Sequence, residues 1–168
     1  MATGKGEAHR TVPTVRLAFT PFVQMSYSDR MFERWFYIST SRLEFVHADD
    51  HVAEIVDISI LRNRSLGVTG ALMFTGQRFS QYLEGSPAAI AELKHCIQQD
   101  SRHEDVRTLA AGPYEVRRFL TWSLAYAGRS RFMASKVECA LNDALHGDVE
   151  NIEILAEMLA GLAVEGHG

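Results

Sequence analysis

Apolar residues recur along this chain at two spacings, every second position in some stretches and every third or fourth in others, which are the periods of a strand and of a helix. The clearest period-two stretch is 67–85, GVTGALMFTGQRFSQYLEG. It predicts a β-hairpin, 68–74 and 79–84, closed by a turn that contains Gly76. Phe79, Gln81 and Leu83 then share one face, so a primary amide sits between two large apolar groups. A buried amide without partners costs on the order of a few kcal/mol, so Gln81 must be bonded to something. For a lone glutamine a backbone group or solvent serves more readily than a ligand, and the other segments have to decide. The segment FERWFYIS at 32–39 predicts another strand, with Trp35, Tyr37 and Ser39 on one side and Phe36 and Ile38 on the other.

At 51–66 the pattern becomes helical, with Asp49 and Asp50 as N-cap and Gly67 as the stop. Val52, Val56, Ile60 and Asn63 fall on one face with Ser59 beside them, which turns a second polar side chain, Asn63, inward. Ser86 and Pro87 occupy the N-cap and N1 positions of a helix running to about residue 100, with Ile90, Leu93 and Ile97 inside. Ser101, Arg102 and His103 form the turn after it, and strands are expected at 105–110 and 119–126, the second placing Leu120, Trp122 and Leu124 together. The order is β-α-β-β-α-β plus one strand: an α+β, ferredoxin-like arrangement with a mixed five-stranded sheet and two helices on one face. Phe36, Ile38 and Tyr82 on the other face need a cover. Two helical stripes supply it, Met133, Val137, Ala140, Leu141 and Ala144, then Ile152, Leu155, Leu159 and Leu162, with Gly147 and Asp148 as stop and start between them. The expected division is an N-terminal extension at 1–31, partly disordered, a domain at 32–127, and a helical cap at 128–168.

Composition changes this picture mainly by exclusion. The chain has 168 residues, 46% hydrophobic and 23% charged, and its formal charge of −4 offers no basic field to nucleic-acid phosphates. Cys96 and Cys139 lie far apart inside predicted helices, without CxxC or zinc spacing, and read as core thiols of a reducing compartment with no metal site. No apolar run approaches the roughly 20 residues of a membrane span, and the amino end lacks a secretory pattern, so a cytoplasmic location is expected. There is no GxSxG, no HExxH and no phosphate loop, so an enzyme is not expected. What remains is Tyr37, Asn63 and Gln81, three uncharged polar side chains aimed between the sheet and the first helix. One at a time, core packing explains them; together they suit a slot for a neutral, planar, hydrogen-bonding ligand.

WFYIS in the first strand, RNRSLGVTG at the end of the first helix, FSQYLEG in the hairpin, QDSRH after the second helix and RRFLTWSL before the last strand stand in this order at family spacing. On these segments, from residue 34 to 126, the chain resembles the BLUF family of blue-light sensors that use FAD. The resemblance implies a flavin held by Tyr37, Ser39, Ser59, Asn63, Gln81 and Ile97, with Arg102 and His103 near its phosphate tail. FAD is the expected cofactor, with FMN and riboflavin as alternatives because the ring contacts are shared. It also implies a photocycle without substrate turnover. Tyr37 passes an electron and then a proton to the excited ring through Gln81. The Gln81 amide is left rotated or tautomerised, donating a new hydrogen bond to the flavin C4 carbonyl, and the absorption band moves to the red. Trp122 matches the tryptophan beside the glutamine that is tied to the signalling state.

Two positions depart from the family pattern. Leu124 stands where Met is common, which removes a flexible thioether from beside Gln81, and Arg62 stands where Asn or His is frequent. Both are expected to alter recovery and signal route rather than the switch itself. The expected output is a changed interface at the last strand and the carboxyl-terminal helices, in a homo-oligomer, toward an unknown downstream protein, without membrane or direct nucleic-acid contact. The competing readings are a flavin-binding module that never switches and a small acylphosphatase-like hydrolase on the same fold.

Overall fold

The computed structural model describes residues 32–44 and 48–165, so the expectations for 1–31 lie outside the described residues. The elements in chain order are β1 (Phe32–Ser41), α1 (Ala48–Ser65), β2 (Thr69–Phe74), β3 (Arg78–Gly85), α2 (Pro87–Gln98), β4 (His103–Tyr114), β5 (Trp122–Ala127), α3 (Arg131–His146) and α4 (Glu150–Glu165). The sheet order is β4-β1-β3-β2-β5. The first four strands pair antiparallel, and β5 joins the edge parallel to β2.

Alternation along β1 and β3 divides the interior into two layers. On one face Trp35, Tyr37, Phe79 and Leu83 pack with Val52 of α1 and Ile90 and Leu93 of α2. On the other Phe36, Ile38 and Tyr82 pack with Val137 and Ala140 of α3 and Ile152, Leu155 and Leu159 of α4. Each such buried side chain contributes about 1.5–3 kcal/mol of transfer free energy, so neither face of the sheet is stable uncovered. Local signals set the helix ends as the sequence predicts. The Ser86 side chain accepts from the Ala89 amide with Pro87 at the first helical position, and Gly147 closes α3 at φ 76.

Several expectations need correction. Helix α1 begins at Ala48, so Asp49 and Asp50 lie in its first turn and are not its cap. Its inner face turns through Val52, Ile55, Ser59 and Asn63, leaving Ile60 43% exposed. Strand β5 begins at Trp122, and Leu120, expected beside Trp122 and Leu124, is 97% exposed. The reason is a backbone anchor. The buried Glu84 carboxylate accepts from the Arg118 amide at 2.8 and 2.9 Å and from the Phe119 amide at 3.0 Å, which turns the Phe119 ring onto Tyr82 and throws Leu120 outward. Cys139 is exposed on α3 and is no core thiol, while Cys96 is half-buried. His103 is the first residue of β4, not a turn residue.

Candidate functional site

The β1–β3 register places Tyr37 directly opposite Gln81, and the β2–β3 register places Leu72 on Gln81's other side. Cross-strand neighbours on one face stand about 5 Å apart, within reach of a phenol and an amide. The Tyr37 hydroxyl donates to Gln81 Oε1 at 2.7 Å, with both residues buried. Trp35 stacks on Tyr37 at 4.3 Å and is itself held by its indole nitrogen donating to Thr108 Oγ1 at 3.0 Å. Burial, reinforced by the Asp100 carboxylate, pushes the Tyr37 phenol well above its ordinary pKa, so it stays protonated through the physiological range.

Above this pair, between the sheet and helices α1 and α2, lies a half-open cleft of about 140 Å³. Helix α1 contributes Ile55, Ile58, Ser59, Arg62 and Asn63; α2 contributes Leu93, Cys96 and Ile97; the sheet contributes Tyr37, Leu72, Phe79, Gln81 and His103. Asp100 and Arg102 close the end beyond α2. Of the residues expected at a site, Tyr37, Ser59, Asn63, Gln81, Ile97, Arg102 and His103 therefore come together. Ser39 and Trp122 do not line the cleft. Ser39 is fully buried behind it, bonded to His103 Nδ1 at 2.7 Å. Trp122 packs in the same core layer as Tyr37, opposite Gly70 in the ladder, with its indole nitrogen buried and unbonded among the described residues. Leu124 pairs with Leu72, but its side chain lies outside the described residues.

Sequence reasoning missed Cys96 and Asp100 as lining residues. Cys96 is six positions after Ile90 and three after Leu93, so the helical period of α2 already put it on the inner face. Each cation at the cleft is matched by a carboxylate. Arg62 Nη2 reaches from α1 to Glu92 at 3.1 Å and to Cys96 Sγ at 2.9 Å on α2. Arg102 grips Asp100 through its guanidinium at 2.6 to 3.0 Å and its backbone amide at 2.9 Å. Burial works against charge on Asp100, but the Arg102 bonds outweigh it and hold the carboxyl below its usual range.

A ferredoxin-like sheet with a helix-walled slot, apolar on its faces and amide-lined at one edge, defines a small-molecule-binding α+β domain for a neutral planar ligand. The family described as "Sensors of blue-light using FAD", BLUF, matches residues 27–125. The chain belongs to the BLUF family. It is 34% identical over 91 residues to the photoactivated adenylate cyclase subunit beta of Euglena longa, covering 54% of this chain and 11% of that protein. It is 37% identical over 68 residues to the blue light- and temperature-regulated antirepressor BluF of Escherichia coli strain K12, covering 40% and 17%. The chain thus spans a small part of the length of these relatives. Among solved structures, the dark state of BlrB, a BLUF protein, superposes with a TM-score of 0.61 at 27% identity, covering 79% of this chain and 97% of that one.

Members of the family bind a flavin, and the residues present fit one. A flavin ring offers carbonyl and ring-nitrogen acceptors and an N–H donor on its edge. Asn63 and Gln81 are 2% and 5% exposed, yet among the described residues the Asn63 amide and Gln81 Nε2 make no hydrogen bond to protein. The Asn63 amide brings a donor and an acceptor to the slot and Gln81 Nε2 brings a donor, while Leu72, Phe79, Leu93 and Ile97 supply apolar contact for ring faces. No described helix is long and apolar enough to cross a membrane.

Proposed function

We propose that this protein is a blue-light photoreceptor in which Tyr37 and Gln81 form the switch and FAD is the chromophore, FMN and riboflavin sharing the same ring contacts. The single observation that carries the reading is the 2.7 Å bond from the Tyr37 hydroxyl to Gln81 Oε1, with Gln81 Nε2 left for the slot. A phenol hydroxyl both donates and accepts, so the Gln81 amide can be satisfied in either of two orientations. In one, as here, its oxygen accepts from Tyr37 and its nitrogen can donate to a ring carbonyl in the slot; in the other the nitrogen donates to Tyr37 and the oxygen faces the slot, and tautomerisation is a second way to exchange donor and acceptor. The flavin, when bound, supplies light absorption and a strong oxidant in its excited state. Tyr37, neutral and hydrogen-bonded, is the residue able to give up an electron and a proton along the bond to Gln81. Asn63 and Ser59 hold the ring edge, Ile97 a ring face, and Arg102 stands toward the phosphate end.

The output runs from residues 32–127 to the helices of 128–168. Strand β3 carries Gln81 on one face and, three residues on, Glu84 on the other; Glu84 binds the Arg118 and Phe119 amides, and Arg118 Nη2 reaches Glu153 of α4 at 2.8 Å. That chain of contacts, together with Trp122 in β5, supports a relay toward α4 and a protein partner. Exposed Phe132, Leu145 and Val149 support a homo-oligomer. The two free thiols suit a reducing, cytoplasmic setting. This chain acts by changing an interface and has no catalysis of its own. A phosphate hydrolase would need a cationic anion-binding loop at its reacting end, whereas the hairpin puts the neutral Gln81 there, on one strand face with Phe79 and Leu83.

The test is an absorption spectrum of the purified protein before and just after blue illumination. The expected result is a flavin band that moves to the red and returns in darkness. Colourless protein, or a flavin band that does not move, refutes the proposal.

A further inference from the structure

His103 reaches the cleft by an irregularity in the sheet. Ile38 pairs with Arg107 but Thr40 pairs with Glu104, so β4 carries one extra residue, and Asp105 in that bulge has φ 56. In a regular ladder continuing from Ile38 and Arg107, His103 would stand opposite Arg42 and face α3 and α4. The extra residue brings it opposite Ser41 and turns it to the α1–α2 side. There both ring nitrogens are occupied, Nε2 by the Ile97 carbonyl at 2.8 Å and Nδ1 by Ser39 Oγ at 2.7 Å. A carbonyl only accepts, so Nε2 carries a proton and donates; in the neutral ring Nδ1 then accepts from the Ser39 hydroxyl. Ile97 stands in the last turn of α2 and lines the cleft, while Ser39 lies two residues beyond Tyr37 on the same face of β1. The imidazole centre is 6.3 Å from the Tyr37 ring and 6.1 Å, edge on, from the Phe79 ring.

We propose that His103 is a positioning residue, not a phosphate ligand: it pins the end of α2 to β1 through Ile97 and Ser39, setting the Ile97 wall of the flavin slot and the stance of Tyr37. A phosphate oxygen requires a donor pointed at it, and both ring nitrogens of this imidazole are already committed inside the protein. The inference rests on the flavin reading and goes beyond it by moving His103 from the cofactor's tail to the frame that holds its ring.

The experiment compares the wild-type full chain with His103→Ala, His103→Gln and Ser39→Ala, each loaded in turn with riboflavin, FMN and FAD. Flavin release on dilution in the dark and the return of the spectrum after a flash are measured. Riboflavin has no phosphate, so the three flavins separate the two roles. His103→Ala is expected to weaken all three by one common factor, about three- to tenfold, the size of one or two lost hydrogen bonds. It is also expected to change the dark-return rate. His103→Gln, whose amide keeps a donor and an acceptor, restores both readouts. Ser39→Ala shifts them in the same direction as His103→Ala and carries the test should His103→Ala not fold. Weakened FMN and FAD with riboflavin spared would overturn the proposal, as would wild-type release and return rates in both alanine variants. Failure of the wild type to hold any of the three would instead sink the flavin reading, and this inference with it.

Discussion

The bond between Tyr37 and Gln81 can be weighed by a double-mutant cycle. Tyr37→Phe deletes the donor and leaves Gln81 Oε1 unpaired in a site where Gln81 is 5% exposed; Gln81→Leu keeps the volume but leaves the phenol hydroxyl, on a residue 3% exposed, without its acceptor. Each single change strands one buried polar group and is expected to cost about 1–3 kcal/mol. The double variant strands neither, so its cost should fall short of the sum by about 1–2 kcal/mol, a factor of roughly 5–30 in the folding equilibrium. The assay is urea unfolding of the full chain in the dark, at one fixed flavin excess, followed by circular dichroism. Contacts that each residue makes separately with the flavin cancel in the cycle. Both single variants should also keep a flavin spectrum and lose its response to blue light. Additive costs, or a light response that survives Tyr37→Phe, would show that this bond is neither the stabilising contact nor the switch argued here.

Two further outcomes follow from burial. Above the ordinary tyrosine pKa of about 10, an unfolded Tyr37 sheds its proton while the folded one, raised by burial and Asp100, keeps it. The native state then holds more protons, so the stability that Tyr37 contributes is constant below about pH 10 and falls above it by up to about 1.4 kcal/mol per pH unit. Urea midpoints from pH 7 to 11 should show this loss and a shallower one in Tyr37→Phe, with the residual slope from Tyr82, whose phenol is also raised by burial; equal slopes would contradict it. At Glu84, replacement by Gln turns an amide NH₂ or a weaker acceptor toward the Arg118 and Phe119 N–H groups. A loss of about 2–3 kcal/mol is expected in thermal unfolding, together with faster proteolysis at 115–121, while unchanged stability would remove Glu84 as the anchor of that loop.

Which side chains share a face was legible in the chain itself. Alternation in β1 and β3 put Trp35, Tyr37, Gln81 and Leu83 with one helix pair and Phe36, Ile38 and Tyr82 with the other, because a strand has no other way to divide its side chains. Helix ends at Ser86, Pro87 and Gly147 were legible for the same reason, being set by residues within a turn of the boundary. Phase errors arose where a neighbour distant in sequence intervened. Extending the strand pattern backwards puts Leu120 inside, but the Glu84 carboxylate, more than thirty positions away, ends that pattern at Phe119. His103 read as part of a turn, and only the bulge opposite Ile38 and Thr40 brings it onto Ser39.

The sequence by itself determined the two-layered sheet and the three polar side chains inside it, since period and capping are properties of neighbours along the backbone. Tertiary structure alone set the Tyr37 hydroxyl 2.7 Å from Gln81 Oε1, a pairing that the family resemblance implies and periodicity does not give. It also decided that Cys96 and Asp100 join the slot, and that both cations there meet carboxylates. Those contacts depend on strand register and on the distance between two helices, which are set only when the whole core closes.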